Sequence, residues 1–124
     1  MNTKAGDPLI VDSLGMAPKP VAMEGARGAV IRELITDRDG APTFAMRLFE
    51  LAPEGHTPKH SHPHEHEIYI LTGAGQLGGA AGGRPLRQGD AVFVPGGVEH
   101  QFANTGSGPL RFLCLIPIEK KSAA

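Results

Sequence analysis

At 124 residues, with 12 Lys plus Arg against 13 Asp plus Glu and a net charge of -1, the chain has the length of one domain and no excess of either charge. That balance excludes the basic footprint of a nucleic-acid-binding or membrane-surface protein. The single cysteine excludes an internal disulfide, and the opening Met1 to Pro8 lacks the apolar run of a signal peptide, so the cytoplasm is the expected location.

The segment 1–25, containing Pro18 and Pro20, reads as an extended N-terminal arm, 26–118 as one β domain and 119–124 as a C-terminal tail. Seventeen glycines and eleven prolines spread along the chain suit many short strands joined by tight turns. Strands are predicted near 29–36, 43–51, 56–62, 66–72, 75–79, 91–95, 98–104 and 110–117, with Gly106-Ser107-Gly108-Pro109 breaking the last pair. Antiparallel strands with no long amphipathic helix imply a closed all-β architecture.

The chemistry is concentrated in His60-Ser61-His62-Pro63-His64-Glu65-His66-Glu67 and in Pro95-Gly96-Gly97-Val98-Glu99-His100. On a strand, His60 and His62 leave the same face about 7 Å apart at Cα, close enough to grip one ion. The β-branched and aromatic run Glu67-Ile68-Tyr69-Ile70-Leu71, ending in Thr72-Gly73, is a strand signal. The histidines are therefore expected on strands. This sets aside the H-x-x-E-H string of His62 to His66, which as a zinc-protease motif requires a helix. Gly73-Ala74-Gly75-Gln76-Leu77-Gly78 fits G-x-G-x-x-G, but the glycine-rich residues after it open no helix. It reads as a hairpin.

In combination these residues resemble the cupin family. Its first motif, a glycine, H-x-H, a glutamate and a second glycine, corresponds to Gly55, His60, His62, position 66 and Gly73. The second, G-x5-P-x-G-x2-H-x3-N, is matched by Gly89, Pro95, Gly97, His100 and Asn104. Counting back from Gly73 puts His66 where the family has its glutamate ligand; counting forward from His62 allows either His66 or Glu67. Neighbouring strand residues face opposite ways, so only one of the two can serve.

The resemblance implies a single-domain cupin jelly-roll β-barrel. With His66 it is similar to small four-histidine manganese cupins, which implies His60, His62, His66 and His100 as ligands of one divalent ion. Manganese is expected first and Fe(II) next. Affinity alone favours copper or nickel, so nickel, copper or zinc in purified protein would reflect supply. A homodimer is expected, because cupin arms often pack on a partner subunit.

Strand parity extends the site. If His100 faces inward, so do Phe102 and Asn104; Phe112, Cys114 and Ile116 share a face, as do Arg47, Phe49 and Leu51. The expected substrate pocket is Arg47, Phe102, Phe112, Cys114 and Ile116. Arg47 either turns inward, toward a substrate carboxylate or the back of a metal ligand, or pairs on the surface with a neighbour such as Glu50. Cys114 is expected to pack as a small apolar group. His56 is placed at the pocket mouth or in solvent and His64 in solvent. Glu65 and Glu67 either receive imidazole N–H groups or are solvated, and Tyr69 faces away.

Four neutral imidazoles leave the charge of the ion uncompensated and two adjacent coordination positions free. That favours a metal-dependent oxygenase acting on a small molecule with dioxygen, by oxidative C–C or C=C cleavage. The alternatives are a small-molecule-binding or sensor protein without turnover, and an isomerase of a sugar or keto acid. The isomerase needs a general base near pH 7, and no residue stands out as one.

Overall fold

The computed structural model describes residues 6–79 and 82–119. Over these the chain forms β1 (Lys19–Pro20), β2 (Arg27–Ile35), β3 (Phe44–His56), β4 (His66–Thr72), β5 (Ala74–Gly79), β6 (Arg84–Arg87), β7 (Ala91–Val94), β8 (His100–Asn104) and β9 (Leu110–Pro117). Every strand pairing is antiparallel. The sheet runs β6-β5-β8-β3-β9-β4-β7, with β2 on β3 and β1 on β2, and it curls into the all-β jelly-roll expected of the sequence.

Alternation decides which way each strand faces. On β4, His66, Ile68 and Ile70 are buried while Glu67 and Tyr69 are exposed; on β9, Leu110, Phe112 and Cys114 are buried. The inward residues of the two ends of the sheet meet in one core, where Phe112 stacks on Phe49 at 5.2 Å and packs against Phe102 at 5.0 Å. Burying a side chain such as Phe112 or Ile70 contributes roughly 1.5–3 kcal/mol.

The long strand β3 joins the two halves. Phe44 to Leu51 pair with β9, and His56 pairs with Ala103 of β8. Between them the chain turns a corner at Ala52 to Gly55, with Glu54 at φ 69°. Gly55 has no room for a side chain, since a Cβ would lie 2.8 Å from the Ala52 carbonyl oxygen and 2.9 Å from that of Arg27.

Three local expectations are corrected. No strand spans 56–62: β3 ends at His56, and residues 57–65 are irregular apart from a single bridge between His60 and His100. Pro58 and Pro63 lack the N–H a ladder needs, and Thr57 spends its backbone N–H on the Phe102 carbonyl and its Oγ1 on the Phe102 N–H. The strand predicted from 98 starts only at His100, because Val98 closes a turn onto Pro95. Strand β6 was not foreseen. It is the second arm of the hairpin with β5, and its Pro85 is tolerated because β6 lies at the edge of the sheet, where a missing donor costs no ladder bond.

The N-terminal segment runs along its own barrel. Lys19 and Pro20 pair with Ile31 and Val30, Val21 N–H donates to the Ala29 carbonyl at 3.0 Å, and Arg32 Nε donates to the Met16 carbonyl at 2.9 Å. Residues 1–5 of the expected arm and 120–124 of the expected tail lie outside the described residues.

Candidate metal centre

Four histidines converge from three places: His60 and His62 from the irregular loop, His66 from the first residue of β4, and His100 from the first residue of β8. Reciprocal hydrogen bonds between the backbones of His60 and His100, at 3.1 and 2.9 Å, hold that pair together. The His62 carbonyl accepts from Gly97 N–H at 2.7 Å, and Gly96 presses on the Pro63 carbonyl so closely that a Cβ would collide with it. The second glycine-rich motif thus clamps the first histidine motif.

The rings lie 4.9 Å apart for His60 and His100, 4.2 Å for His62 and His66, 4.9 Å for His62 and His100, and 5.2 Å for His66 and His100. Ligand atoms of His60, His62 and His100 lie within 4.8 Å of one another, as do those of His62, His64 and His66. Three rings are oriented the same way, with Nδ1 against a main-chain carbonyl: His60 on Pro58 at 2.9 Å, His62 on His64 at 2.8 Å and His100 on Val98 at 2.9 Å. An Nδ1–H donating there leaves Nε2 with a free lone pair.

Burial lowers the pKa of His62 and His100, and it pushes His66 down to about 3, with further lowering from His62 and Arg47. These rings are therefore neutral at pH 7, the form a metal requires. Among the described residues, His62 Nε2 and His66 Nε2 are buried with no hydrogen-bond partner. Unpaired lone pairs gathered in this way are costly unless a cation takes them, so the residues fit a divalent metal ion.

Glu67 stands on the opposite, exposed face of β4, opposite Phe93 and Leu115, and is absent from the ring cluster. Neither Glu67 nor Glu65 receives an imidazole N–H, since main-chain carbonyls take those of three rings; both instead border an outer groove of about 280 Å³. His64 is exposed, yet its ring stacks on His62 at 4.0 Å and 6°, nearer the cluster than its loop position implied. His56 lies aside, with Nδ1 3.4 Å from Gln101 Nε2. Tyr69 faces out as expected.

A cavity of about 70 Å³ opens beside His60, His66 and His100. Phe49, Phe102 and Phe112 form its apolar wall, and Arg47, Cys114, Thr57 and Met23 complete it. Arg47 faces inward: its guanidinium lies 5.1 Å above the Phe49 ring, its Nη2 donates to Cys114 Sγ at 3.1 Å, and its buried Nε has no partner among the described residues. The surface alternative fails because Glu50 pairs with Arg111. Cys114 is buried, and burial pushes its thiol above the usual range, although Arg47 pulls the other way. It is more than an apolar filler, since its sulfur also lies 3.2 Å from His66 Nδ1.

Ile116 does not line this cavity. It shares the inward parity of Phe112 and Cys114, but it sits near the strand end, where it packs beside the core and borders two other spaces, the groove with Glu65 and Glu67 and a wider opening that it shares with Arg47 and His64. Asn104 is buried as a structural clamp, donating through Nδ2 to the carbonyls of Leu51 and Gly108. Met23 and Thr57 were missed. Met23 comes from the N-terminal segment with no local signal, while Thr57 precedes a proline in a stretch misread as strand.

Among the described residues no helix is long and apolar enough to cross a membrane. The chain is 32% identical over 118 residues to an oxalate-binding protein of Thermotoga maritima, covering 91% of this chain and 97% of that protein. It is 32% identical over 92 residues to 1-methylthio-D-xylulose 5-phosphate methylsulfurylase of Rhodospirillum rubrum, covering 74% of this chain and only 58% of that enzyme. Among solved structures, the polyketide cyclase RemF from Streptomyces resistomycificus matches with a TM-score of 0.85 and 33% identity over 94% of this chain and 83% of that one. A family profile described as Cupin domain matches residues 47–116, which hold the four converging histidines and most of the cavity wall, and the chain belongs to the cupin family.

Proposed function

We propose that this cupin holds one divalent metal ion on His60, His62, His66 and His100, manganese before iron, and uses it to bind a small anionic molecule in the adjoining cavity. The observation that carries the reading is the set of unpartnered buried nitrogens among the described residues: Nε2 of His66 and Nε of Arg47, on residues that line one small apolar cavity, and Nε2 of His62 in the adjoining ring cluster. A bound ion would supply positive charge and open coordination positions for the anion. Arg47 offers the anion a second, directional cation, and the three phenylalanines exclude water, which strengthens both attractions. A cavity of about 70 Å³ has room for a ligand of few heavy atoms. The similarity to an oxalate-binding protein over nearly both full lengths supports a small carboxylate.

Turnover is the second reading. The apolar wall against the metal site suits an oxygenase, and the likeness to a polyketide cyclase favours an enzyme. An isomerase has less support, because among the described residues that line the cavity no general base stands outside the four-histidine set. The proposal extends to a cytoplasmic homodimer of barrels spanning 26–118, in which the arm 1–25 contributes Met23 to the cavity. The exposed rings of Tyr69 and Phe93 give the dimer an apolar contact surface. A monomer by light scattering at micromolar concentration removes that element.

The test is metal content by mass spectrometry for the wild type, His66→Ala and Glu67→Ala, followed by calorimetric titration with oxalate. One equivalent of metal lost only in His66→Ala, with oxalate binding that needs both metal and Arg47, supports the reading. Metal loss in Glu67→Ala alone refutes the ligand set, and oxygen uptake with a substrate moves the function to the oxygenase.

A further inference from the structure

Three of the four converging rings are held by the main chain, each against a carbonyl two residues away. His66 is the exception. It lies in the β4 ladder opposite Val94, where neighbouring carbonyls are aligned in the sheet and its ring stands perpendicular to them. The partner of its Nδ1 is Cys114 Sγ at 3.2 Å. The register explains the meeting: Cys114 pairs with Ile68 across β9 and β4, making it the diagonal inward neighbour of His66, and pairs with Arg47 across β9 and β3.

We infer that Cys114 is the positioning residue of His66, its sulfur accepting the Nδ1–H so that the Nε2 lone pair turns toward the other three histidines. Arg47, which has only donors, donates from Nη2 to the same sulfur at 3.1 Å and keeps that sulfur in place. The sulfur thereby joins the cation proposed to grip the anion to one of the proposed metal ligands. A thiol that instead donated its proton to Nδ1 would put a hydrogen on His66 Nε2, which is buried with no acceptor. This inference deepens the four-histidine reading and rests on it for its consequence in metal binding, but the hydrogen bond is open to measurement without metal.

The experiment uses metal-free protein with 15N-labelled histidine at pH 8, as wild type, Cys114→Ser and Cys114→Ala, with long-range 1H–15N spectra assigning the His66 tautomer. Cobalt titration of the same proteins follows. The wild type and Cys114→Ser are expected to carry the His66 proton on Nδ1, since a hydroxyl also accepts, and to bind cobalt with similar affinity. Cys114→Ala is expected to lose that tautomer preference and about 10- to 100-fold in cobalt affinity, the usual cost of removing a partner of a metal-bound histidine. Should Cys114→Ala fail to fold, Cys114→Val removes the acceptor while filling the space. An unchanged tautomer in the alanine or valine variant overturns the inference. So does a serine variant as impaired as alanine, which would make the role one of packing. A wild type with the Nδ1–H tautomer that takes up no cobalt upholds the hydrogen bond and overturns the metal reading.

Discussion

Acid should destabilise the metal-free protein through His66. Its residue is 8% exposed, and burial, aided by His62 and Arg47, lowers its pKa from 6.5 to about 3. An unfolded chain takes up this proton near pH 6.5, whereas the folded protein resists until about pH 3. The contribution is therefore complete above pH 6.5, shrinks as pH falls through the window and is gone below about pH 3. One proton corresponds to about 1.4 kcal/mol per pH unit, giving about 2 kcal/mol between pH 6.5 and 5 before screening. Discounted for partial screening of the proton's charge, this is about 1 kcal/mol, or roughly 3–5 °C in Tm for a domain of this size. The lowered pKa values of His62 and His100 act in the same direction. Urea unfolding of the metal-free wild type and His66→Leu at pH 5, 6.5 and 8 measures the effect. The wild type should lose about 1 kcal/mol more than the variant on going from pH 6.5 to 5. Parallel stability curves for the two proteins would refute the assignment of a buried neutral ring.

Phe112→Ala removes a ring 1% exposed that packs on both Phe49 and Phe102, and calorimetry should register a loss of about 3–5 kcal/mol. A cost below about 1 kcal/mol would mean that the inward faces of β8, β3 and β9 do not pack together there. Asn104→Ala strips two donors from the carbonyls of Leu51 and Gly108, and denaturant unfolding should show a loss of about 1–3 kcal/mol, with an unchanged midpoint arguing against the clamp. Gly96→Ala forces the His62 loop away from the Pro63 carbonyl contact and should weaken cobalt binding by about tenfold, the lower end for disturbing a ligand's support. Wild-type affinity in that variant would show that the loop does not orient His62.

The strands from 66 to 72 and from 110 to 117 were legible because their inward positions alternate with exposed ones, a local periodicity that survives in the sequence. The choice of His66 over Glu67 followed from the same alternation once its distance to Gly73 was counted, and the glycine and proline spacing around His100 located the second half of the site. Residues 57 to 65 were not legible: two histidines separated by one residue look like a strand, and only the bonds from Thr57 to Phe102 and from Gly97 to His62 make that stretch a loop. Met23 entered the cavity from a segment with no local mark, and Ile116 left it although its parity was right, because the strand ends beyond the cavity rim. The pairing of Cys114 with His66 and Arg47 depends on the relative register of three strands distant in sequence. Parity says which face a side chain takes, but cross-strand register, set when the whole sheet closes around its core, decides which side chains meet there.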